Sequence, residues 1–144
     1  MIRIDNCLER LKEIDAPRNH HLKGQGEINI CGTFYDFKGK VCFDSSIPAI
    51  GDRDHVNKGD SIYAIWNTVH LIANEVNRSN ALFGKDLNVR SRGKILPDKE
   101  YDIYTKLSGF KSIDGKDSGI YECVISLEGK KLYEEPGLAF WKKK

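Results

Sequence analysis

The sequence has no long hydrophobic run, no close pair of cysteines and almost no net charge. No segment reaches the roughly 18 consecutive apolar residues that a membrane-spanning helix needs. The four cysteines form no CxxC pair, so we expect buried or incidental thiols in a reducing compartment rather than a zinc site or a disulfide framework. The formal net charge of +2 is too small to indicate nucleic acid binding. We therefore expect a soluble protein with no membrane or nucleic acid partner.

The beginning of the sequence has acidic residues in its first turns and no apolar segment typical of a signal peptide. Together with the cysteine pattern, this predicts a cytoplasmic protein. A length of 144 residues favours one domain spanning 1–144. Within it, we expect an N-terminal helix and connector over 1–20 and the main core over 27–141.

The N-terminal helix is predicted over 5–14, with Asp5 as its N-cap and Pro17 ending it. His20 and His21 follow in a polar connector. Paired histidines can bind a metal ion, but no nearby carboxylate or cysteine completes a ligand set. We therefore predict no metal site.

The segment 59–77 has the clearest helical periodicity in the chain. Apolar residues recur at spacings of three and four, which places them on one stripe of a helix. The stripe consists of Ile62, Ile65, Trp66, Val69, Ile72, Ala73 and Val76. Asp60 or Ser61 is predicted to cap the first turn by accepting a hydrogen bond from a backbone N–H. We expect one long helix with Trp66 at the centre of the stripe, buried against a sheet.

The opposite side of this helix carries Tyr63, Asn67, His70 and Asn74. At about 100° per residue they form one row, and none of them is fully charged. A solvated face normally presents Lys, Glu and Arg. An uncharged polar row suits a surface that is partly buried and hydrogen-bonded, in a pocket or against a partner subunit. An ordinary semi-exposed helix face is the alternative interpretation of the same pattern.

A loop over 44–58 precedes the helix and is long for a compact domain, and such loops are usually functional. It brings Asp52, Asp54, His55 and Asn57 to the start of the helix. Backbone N–H groups at a helix start can hold a carbonyl oxygen or an oxyanion. The alternative is a surface loop whose Asp and Asn residues only form turns.

The other segments alternate between apolar and polar residues, which is typical of strands. The predicted strands span 27–37, 41–43, 86–95, 101–110, 120–127 and 132–141. In 86–95 one face is apolar and the other carries Arg90, Arg92 and Lys94. A single helix cannot leave its apolar stripe in water, so the economical arrangement is an antiparallel sheet curled around it. The predicted class is α+β.

The order of motifs around the long helix is similar to that of a known enzyme family. A strand ending in Asp44 leads through the loop to His55-Val56-Asn57 and then to a helix that contains Tyr63. This order resembles the strand–Asp–loop–His-Val-Asn–helix–Tyr signature of 4-hydroxybenzoyl-CoA thioesterases. The turn at 128–131 resembles the last hairpin of many related thioesterases. The uncharged helix row is similar to that of long-chain acyl-CoA thioesterases. All share the hotdog fold, in which a curled sheet wraps around one long central helix, and the resemblance covers 27–141.

The resemblance implies an acyl-thioester site at the start of the helix, usually shared between the two subunits of a dimer. Backbone N–H groups at Asp60, Ser61 and Ile62 would polarise the thioester carbonyl. Asn67 and Tyr63 would orient a water, and a base would come from the loop. The candidate catalytic residues are Asn67, Tyr63, His55, Asp52, Asp54 and Asn57. The candidate substrate-binding residues are Asp60, Ser61, Ile62, His70, Asn74, Arg90 and Arg92, the two arginines for the phosphates of CoA.

Departures from the family pattern leave three functions open. The loop is longer, Tyr63 lies two residues farther from the His-Val-Asn, no carboxylate occupies the middle of the helix, and the Phe-Pro-Gly stretch of dehydratases is absent. We favour a hydrolase acting on acyl-CoA or acyl-carrier-protein thioesters in fatty acid or polyketide metabolism. The alternatives are a 3-hydroxyacyl-thioester dehydratase using His55 and Asp60, and a non-catalytic acyl-thioester-binding module.

Two further expectations follow for the leading hypothesis. No cofactor is expected beyond the CoA or phosphopantetheine that forms part of the substrate. A curled sheet with open edges and a polar helix row both require a partner surface, so we expect a homodimer or a higher even oligomer.

Overall fold

The computed structural model describes residues 1–47, 55–76, 78–84, 89–113 and 115–142. Over these residues the chain forms an eight-stranded sheet and two helices. In chain order the elements are β1 (Ile2–Ile4), α1 (Cys7–Glu13), β2 (Leu22–Cys31), β3 (Phe34–Cys42), α2 (Lys58–Glu75), β4 (Leu82–Phe83), β5 (Arg90–Ser91), β6 (Glu100–Ile113), β7 (Lys116–Leu127) and β8 (Lys130–Trp141). The two predicted helices and the antiparallel sheet are confirmed.

The sheet is antiparallel throughout, in the order β1-β2-β3-β6-β7-β8, and β4 and β5 both pair with β8. Strands β6, β7 and β8 are the longest and follow one another as hairpins, because a turn at 128–129 and another around 115 reverse the chain. Their inward residues alternate with outward ones, as the period of two requires. The strand around Cys123, β7, lies inside the sheet between β6 and β8.

Helix α2 packs its 18 residues against the inner face of this sheet. Ala64, Ile65, Val69 and Ile72 are all 0% exposed and form the centre of the core with inward residues of β3, β6 and β7. Complete burial of a side chain such as Ile65, Val69 or Ile72 contributes about 1.5–3 kcal/mol of stabilisation. The predicted helical stripe therefore does form the core, although three of its members, Ile62, Trp66 and Val76, are partly exposed. Trp66 is only half-buried, since its ring lies at the edge of the core rather than at its centre.

The first hairpin differs from the sequence prediction. A single strand over 27–37 with a turn at 38–40 was expected, but β2 ends at Cys31, Gly32 and Thr33 form the turn, and β3 runs on to Cys42. The turn falls in the middle of the predicted strand because the β-branched and aromatic residues on both sides of Gly32 belong to two strands that pair with each other. Strand propensity alone does not reveal a two-residue turn inside such a run.

Other boundaries also differ. The N-cap of α1 is Asn6, whose side chain accepts a hydrogen bond from the Glu9 N–H at 3.1 Å, instead of Asp5. In the region predicted as a strand over 86–95, Arg90–Ser91 is the stretch that pairs with β8, and 85–88 lie outside the described residues. The register of the β7–β8 pair shifts by one residue at Leu132 of β8, since Ile125 pairs with Tyr133 and Ser126 with Lys131. Neither helix in the described parts of the chain is long and apolar enough to cross a bilayer.

Candidate functional site

A cleft of about 470 Å³ opens where the first turn of α2 meets β5 and β8. Three parts of the chain form its walls. The lining residues are His55, Val56, Lys58, Ser61, Val89, Ser91, Gly93, Lys94, Ile95 and Tyr133. A backbone hydrogen bond from the Val56 N–H to the Ile95 carbonyl oxygen, 2.7 Å, joins two of these parts. The cleft therefore combines an apolar lining, a helix start and two lysines, which suits a ligand with an apolar part and an anionic part.

The first turn of α2 explains the role of Asn57. Its side chain accepts a hydrogen bond from the Asp60 N–H at 2.8 Å, and its carbonyl oxygen accepts from the Ser61 N–H at 3.3 Å. Asn57 is thus the N-cap, which corrects the prediction that Asp60 or Ser61 would be. It also means that the N–H groups of Asp60 and Ser61, expected to polarise a thioester carbonyl, already have intramolecular acceptors. Ile62 lies in the same turn and is half-buried.

The loop residues predicted to supply a base are only partly visible. His55 is exposed and lines the cleft. Asp52 and Asp54 lie outside the described residues, so their predicted role stays a prediction.

The polar row on α2 is buried or half-buried, and Asn67, His70 and Asn74 form hydrogen bonds within the subunit. Asn67 is 0% exposed, and its amide donates to the Arg18 carbonyl oxygen at 2.9 Å. His70 is 3% exposed, and its Nδ1 accepts from the Ala81 N–H at 3.1 Å. Asn74 donates to the His70 carbonyl oxygen. Tyr63 is half-buried, with the Arg18 guanidinium 4.6 Å from its ring centre. The row therefore fastens the connector and the segment after the helix to α2.

A buried acid–imidazole pair lies beside the cleft. The side chain of Asp60, on the first turn of α2, is 3.5 Å from His21 Nε2, and both residues are almost completely buried. His21 also packs on Phe43, with ring centres 4.8 Å apart. Burial lowers the pKa of His21 to about 4, although the Asp60 charge acts in the opposite direction. The imidazole is therefore neutral at pH 7. No sequence pattern indicates this pair, because the two residues are far apart in the chain.

A second buried polar cluster joins α2 to β7 and β8. Glu135 is 1% exposed, and its carboxylate accepts hydrogen bonds from Tyr121 Oη at 2.8 Å and from Tyr133 Oη at 3.1 Å. Trp66 Nε1 donates to Tyr121 Oη at 3.2 Å. The Trp66 indole lies parallel to the Phe83 ring, with centres 4.5 Å apart. Since Tyr133 also lines the cleft, this cluster connects the cleft to a carboxylate in the interior.

The glycine at 137 is required by this cluster. A Cβ at that position would lie 2.3 Å from the hydroxyl oxygen of Tyr121, which is too close for any side chain. Gly137 therefore allows the phenol of Tyr121 to cross β8 and reach Glu135. The sequence does contain a signal for Glu135, since it shares the inward phase of β8 with Tyr133, Ala139 and Trp141. A glutamate in phase with buried residues indicates a buried carboxylate.

The predicted arginines lie away from the cleft. Arg92 Nε donates to Glu134 Oε2 at 2.8 Å, and this bond lowers the pKa of Glu134. Arg90 lines a separate groove of about 440 Å³ on the outer face of the sheet, with Tyr104, Lys106 and Lys131 among its other residues. Of the three basic residues in this segment, Lys94 is the one that lines the cleft.

Comparison with known proteins was made at the levels of sequence and fold. The sequence matches no protein-family model and no curated protein. The fold resembles that of yhdA, a candidate thioesterase from Lactococcus lactis, with a TM-score of 0.63, 12% identity, and 83% of this chain and 91% of that chain covered. The chain has the hotdog fold.

Two other solved structures with this fold are informative. The hypothetical thioesterase of Streptococcus pneumoniae, solved with coenzyme A, has a TM-score of 0.58 and 9% identity, over 93% of this chain and 98% of that one. The dehydratase heterocomplex ApeI:P of Xenorhabdus doucetiae has a TM-score of 0.61 and 12% identity, over 87% and 84%. At these identities the likeness establishes the hotdog fold and leaves the activity to be argued from the site.

Proposed function

We propose that the protein hydrolyses acyl thioesters in the cleft at the start of α2. The observation that carries this proposal is the cleft itself, where Ser61 of the helix, His55 before it and Tyr133 of β8 face one space of about 470 Å³. A thioester needs an aimed water and donors for the carbonyl oxygen, and these three side chains offer hydroxyl and imidazole groups for both tasks. The solved neighbours with thioesterase names add support.

The ligand chemistry of the cleft suits a CoA ester. Lys58 and Lys94 line it and provide positive charge for phosphates, while Val56, Val89 and Ile95 provide an apolar wall for the acyl chain. One solved neighbour of this fold was crystallised with coenzyme A. An acyl-carrier protein presents the same thioester on phosphopantetheine, so we propose acyl-CoA or acyl-carrier protein as the partner. We also propose a homodimer or a higher even oligomer.

A 3-hydroxyacyl-thioester dehydratase is the second candidate, and one observation favours it. Dehydration needs an imidazole and an acid that exchange protons with the substrate. His21 and Asp60 form such a pair, 3.5 Å apart, and Asp60 directly precedes Ser61 in the first turn of α2. One solved neighbour is part of a dehydratase complex. Both side chains are nearly inaccessible, so this activity requires an opening of the first turn of α2.

The experiment is a substrate screen. The purified protein is incubated with acyl-CoAs of graded chain length, and free thiol is measured against a heat-denatured sample. We expect thiol release that varies with chain length. In parallel, 3-hydroxyacyl-CoA is tested for conversion to the enoyl thioester, the outcome that identifies a dehydratase. Thermal stabilisation by acyl-CoA without either reaction identifies a binding module and contradicts the hydrolase.

A further inference from the structure

We propose that His21 and Asp60 are positioning residues of the cleft, which hold the first turn of α2 and thereby fix the place of Ser61. This inference rests on the proposed hydrolase function and assigns the buried pair a role other than proton exchange. Ser61 directly follows Asp60 on α2 and lines the cleft. A displacement of the Asp60 side chain from its contact with His21 therefore moves Ser61 as well.

The burial of this pair is costly, and packing alone does not explain it. Asp60 is 4% exposed and His21 is 0% exposed. Burial strongly disfavours an ionised carboxylate, and apolar residues of similar size often pack equally well or better in its place. The free N–H groups at the start of a helix favour negative charge and offset a part of this cost. We attribute the pair to the geometry that it imposes on the turn.

His21 is a rigid support, because the end of β3 contacts both its backbone and its ring. Its carbonyl oxygen accepts a hydrogen bond from the Cys42 N–H at 2.9 Å. Its imidazole packs on Phe43, which is completely buried, with ring centres 4.8 Å apart. Burial lowers the pKa of His21 to about 4, so the ring is neutral at pH 7. The nearby carboxylate of Asp60 favours the tautomer with its proton on Nε2, since a carboxylate accepts and cannot donate.

The hydrogen bonds inside the first turn of α2 set its shape but not its orientation toward the sheet. The Asn57 side chain accepts from the Asp60 N–H at 2.8 Å, and the Asn57 carbonyl oxygen accepts from the Ser61 N–H at 3.3 Å. Both bonds begin and end within the turn. The contact between Asp60 Oδ1 and His21 Nε2, 3.5 Å, joins the turn to the connector before β2. This contact therefore orients the turn.

Ser61 is the group whose place depends on this orientation. It is 2% exposed, and its Oγ lies 3.4 Å from the Asn57 carbonyl oxygen, near the limit of a hydrogen bond. Successive helical residues point about 100° apart, so Asp60 faces the connector while Ser61 faces the cleft. A hydroxyl in this place can donate to a thioester carbonyl oxygen or accept from a water. A misplacement of about 1 Å can lower turnover by about 10²-fold.

The same helix provides a matched control two turns farther on. Thr68 of α2 and Thr105 of β6 are both 0% exposed, and their Oγ1 atoms are 2.6 Å apart. This contact also joins α2 to the rest of the fold through buried polar groups, but it lies about 12 Å along the helix from Asp60. Neither threonine is among the residues that line the cleft. Thr105→Val removes one hydroxyl at nearly constant shape.

The test measures acyl-CoA hydrolysis and amide hydrogen exchange on the same folded samples. We expect Asp60→Ala to lower kcat by about 10²-fold with little change in KM, and to speed exchange in the first turn of α2. Asp60→Asn retains an oxygen that accepts from His21, so it should recover at least about tenfold of the lost turnover. Thr105→Val should be less stable but keep wild-type kcat and first-turn exchange.

A second variant tests the pair from its other member. His21→Leu removes the donor and keeps an apolar side chain against Phe43, so it should lower kcat as Asp60→Ala does. It also keeps the test valid if Asp60→Ala does not fold. Thermal denaturation of every variant gives the folded fraction to which kcat is referred.

Four outcomes overturn the inference. Wild-type kcat in folded Asp60→Ala or His21→Leu shows that the pair does not position the cleft. Equal losses in Asp60→Asn and Asp60→Ala identify the carboxylate as an acid or a base instead. A loss that Thr105→Val shares indicates general loosening of α2. If the wild-type protein hydrolyses no thioester, the proposed function fails and this inference fails with it, whereas an active wild type with unaffected variants overturns the inference alone.

Discussion

The side-chain amide of Asn67 donates a hydrogen bond to the backbone carbonyl of Arg18 at 2.9 Å. Asn67 lies in the middle of α2 and Arg18 in the connector before β2, so this bond fastens the connector to the central helix. Among the described residues, Asn67 Oδ1 has no hydrogen-bond partner. The Nδ2 group of Asn67 therefore stabilises the fold through its hydrogen bond to Arg18. Its Oδ1 atom is the one that can accept a hydrogen bond from a ligand.

The role of Asn67 in stability and its predicted role in turnover can be tested separately. Asn67→Ala should destabilise the protein by about 1–2 kcal/mol through loss of the buried bond. If Asn67 also orients a water, as the sequence suggests, turnover per folded molecule should fall by about 10²-fold. Asn67→Asp should be less stable than Asn67→Ala, because a carboxylate cannot donate to the Arg18 carbonyl and would be buried against it. Denaturant unfolding and turnover are measured on the same samples; an Asp variant as stable as wild type contradicts the first role.

Burial of two histidines predicts a loss of stability in acid. Burial lowers the pKa of His70 from its ordinary value of 6.5 to about 4, and the pKa of His21 is also about 4. Between about pH 4 and pH 6.5 the two histidines bind more protons in the unfolded chain than in the folded one. Stability is therefore complete above about pH 6.5 and decreases as the pH falls toward 4. From pH 7 to pH 5 each histidine should remove about 2 kcal/mol.

The variant that checks this effect is His70→Gln, which retains an acceptor for the Ala81 N–H. Urea unfolding at pH 7, 6 and 5 should show a smaller acid loss in the variant than in the wild type, by about 2 kcal/mol at pH 5. His20→Gln is the control, because that imidazole lies outside the core. Identical pH slopes for the wild type and His70→Gln would refute the burial argument.

Trp66 should contribute to stability in proportion to its partial burial. Its indole stacks on Phe83 and donates to Tyr121. Trp66→Ala is expected to cost about 2–3 kcal/mol, below the 3–5 kcal/mol typical of a completely buried ring. Trp66→Phe keeps most of the stacking and loses only the N–H, so about 1 kcal/mol is expected. Chemical denaturation measures both, and equal losses in the two variants would mean that the stacking contributes nothing.

Affinity for CoA distinguishes the cleft from the outer groove. Lys58→Ala and Lys94→Ala should each weaken CoA binding about tenfold if the phosphates lie in the cleft, as expected for loss of a charged hydrogen bond. Arg90→Ala is the matched control, since Arg90 lines the outer groove. Isothermal titration gives the three dissociation constants. A loss confined to Arg90→Ala would place the phosphates in the outer groove and would agree with the phosphate-binding role that the sequence predicts for Arg90.

The proposed oligomer has a testable surface. Leu82, on the short edge strand β4, is 70% exposed, and the next residue, Phe83, is half-buried and stacks on Trp66. We expect light scattering to show a dimer or a higher even oligomer at micromolar concentration, and Leu82→Lys to shift it toward monomer. Ile30→Lys is the control, because Ile30 is 56% exposed on β2, at the other side of the sheet. A monomeric wild type contradicts the assembly.

The sequence predicts the elements whose periodicity is long and regular. The core face of α2 and the hairpins of β6, β7 and β8 follow from spacings of three and four, or of two, over ten or more residues. The hairpin at Gly32 is missed because strand propensity is continuous across it. The N-cap is misassigned because Asn57, Asp60 and Ser61 are all acceptable caps, and only the path of the chain into the helix selects Asn57.

The site is harder to predict than the fold, because its groups meet through strand pairing. No short sequence motif contains both His21 and Asp60, or both Tyr121 and Glu135, although each pair is in contact in the folded chain. Glu135 looks like one of several charged residues near a turn, and its inward phase becomes meaningful only when β8 is known to lie in the interior of the sheet. The site that the sequence predicts at the start of α2 stays a prediction, and sequence reasoning did not indicate the buried carboxylate of Glu135.

The most direct measurement is a crystal structure of the protein with a non-hydrolysable acyl-CoA analogue, in which a thioether replaces the thioester. We predict that the carbon corresponding to the reacting carbonyl lies in the cleft, between Ser61 and Tyr133, with the phosphates toward Lys58 and Lys94. An analogue bound in the outer groove beside Arg90, with the cleft empty, would contradict the central claim that the start of α2 is the acyl-thioester site.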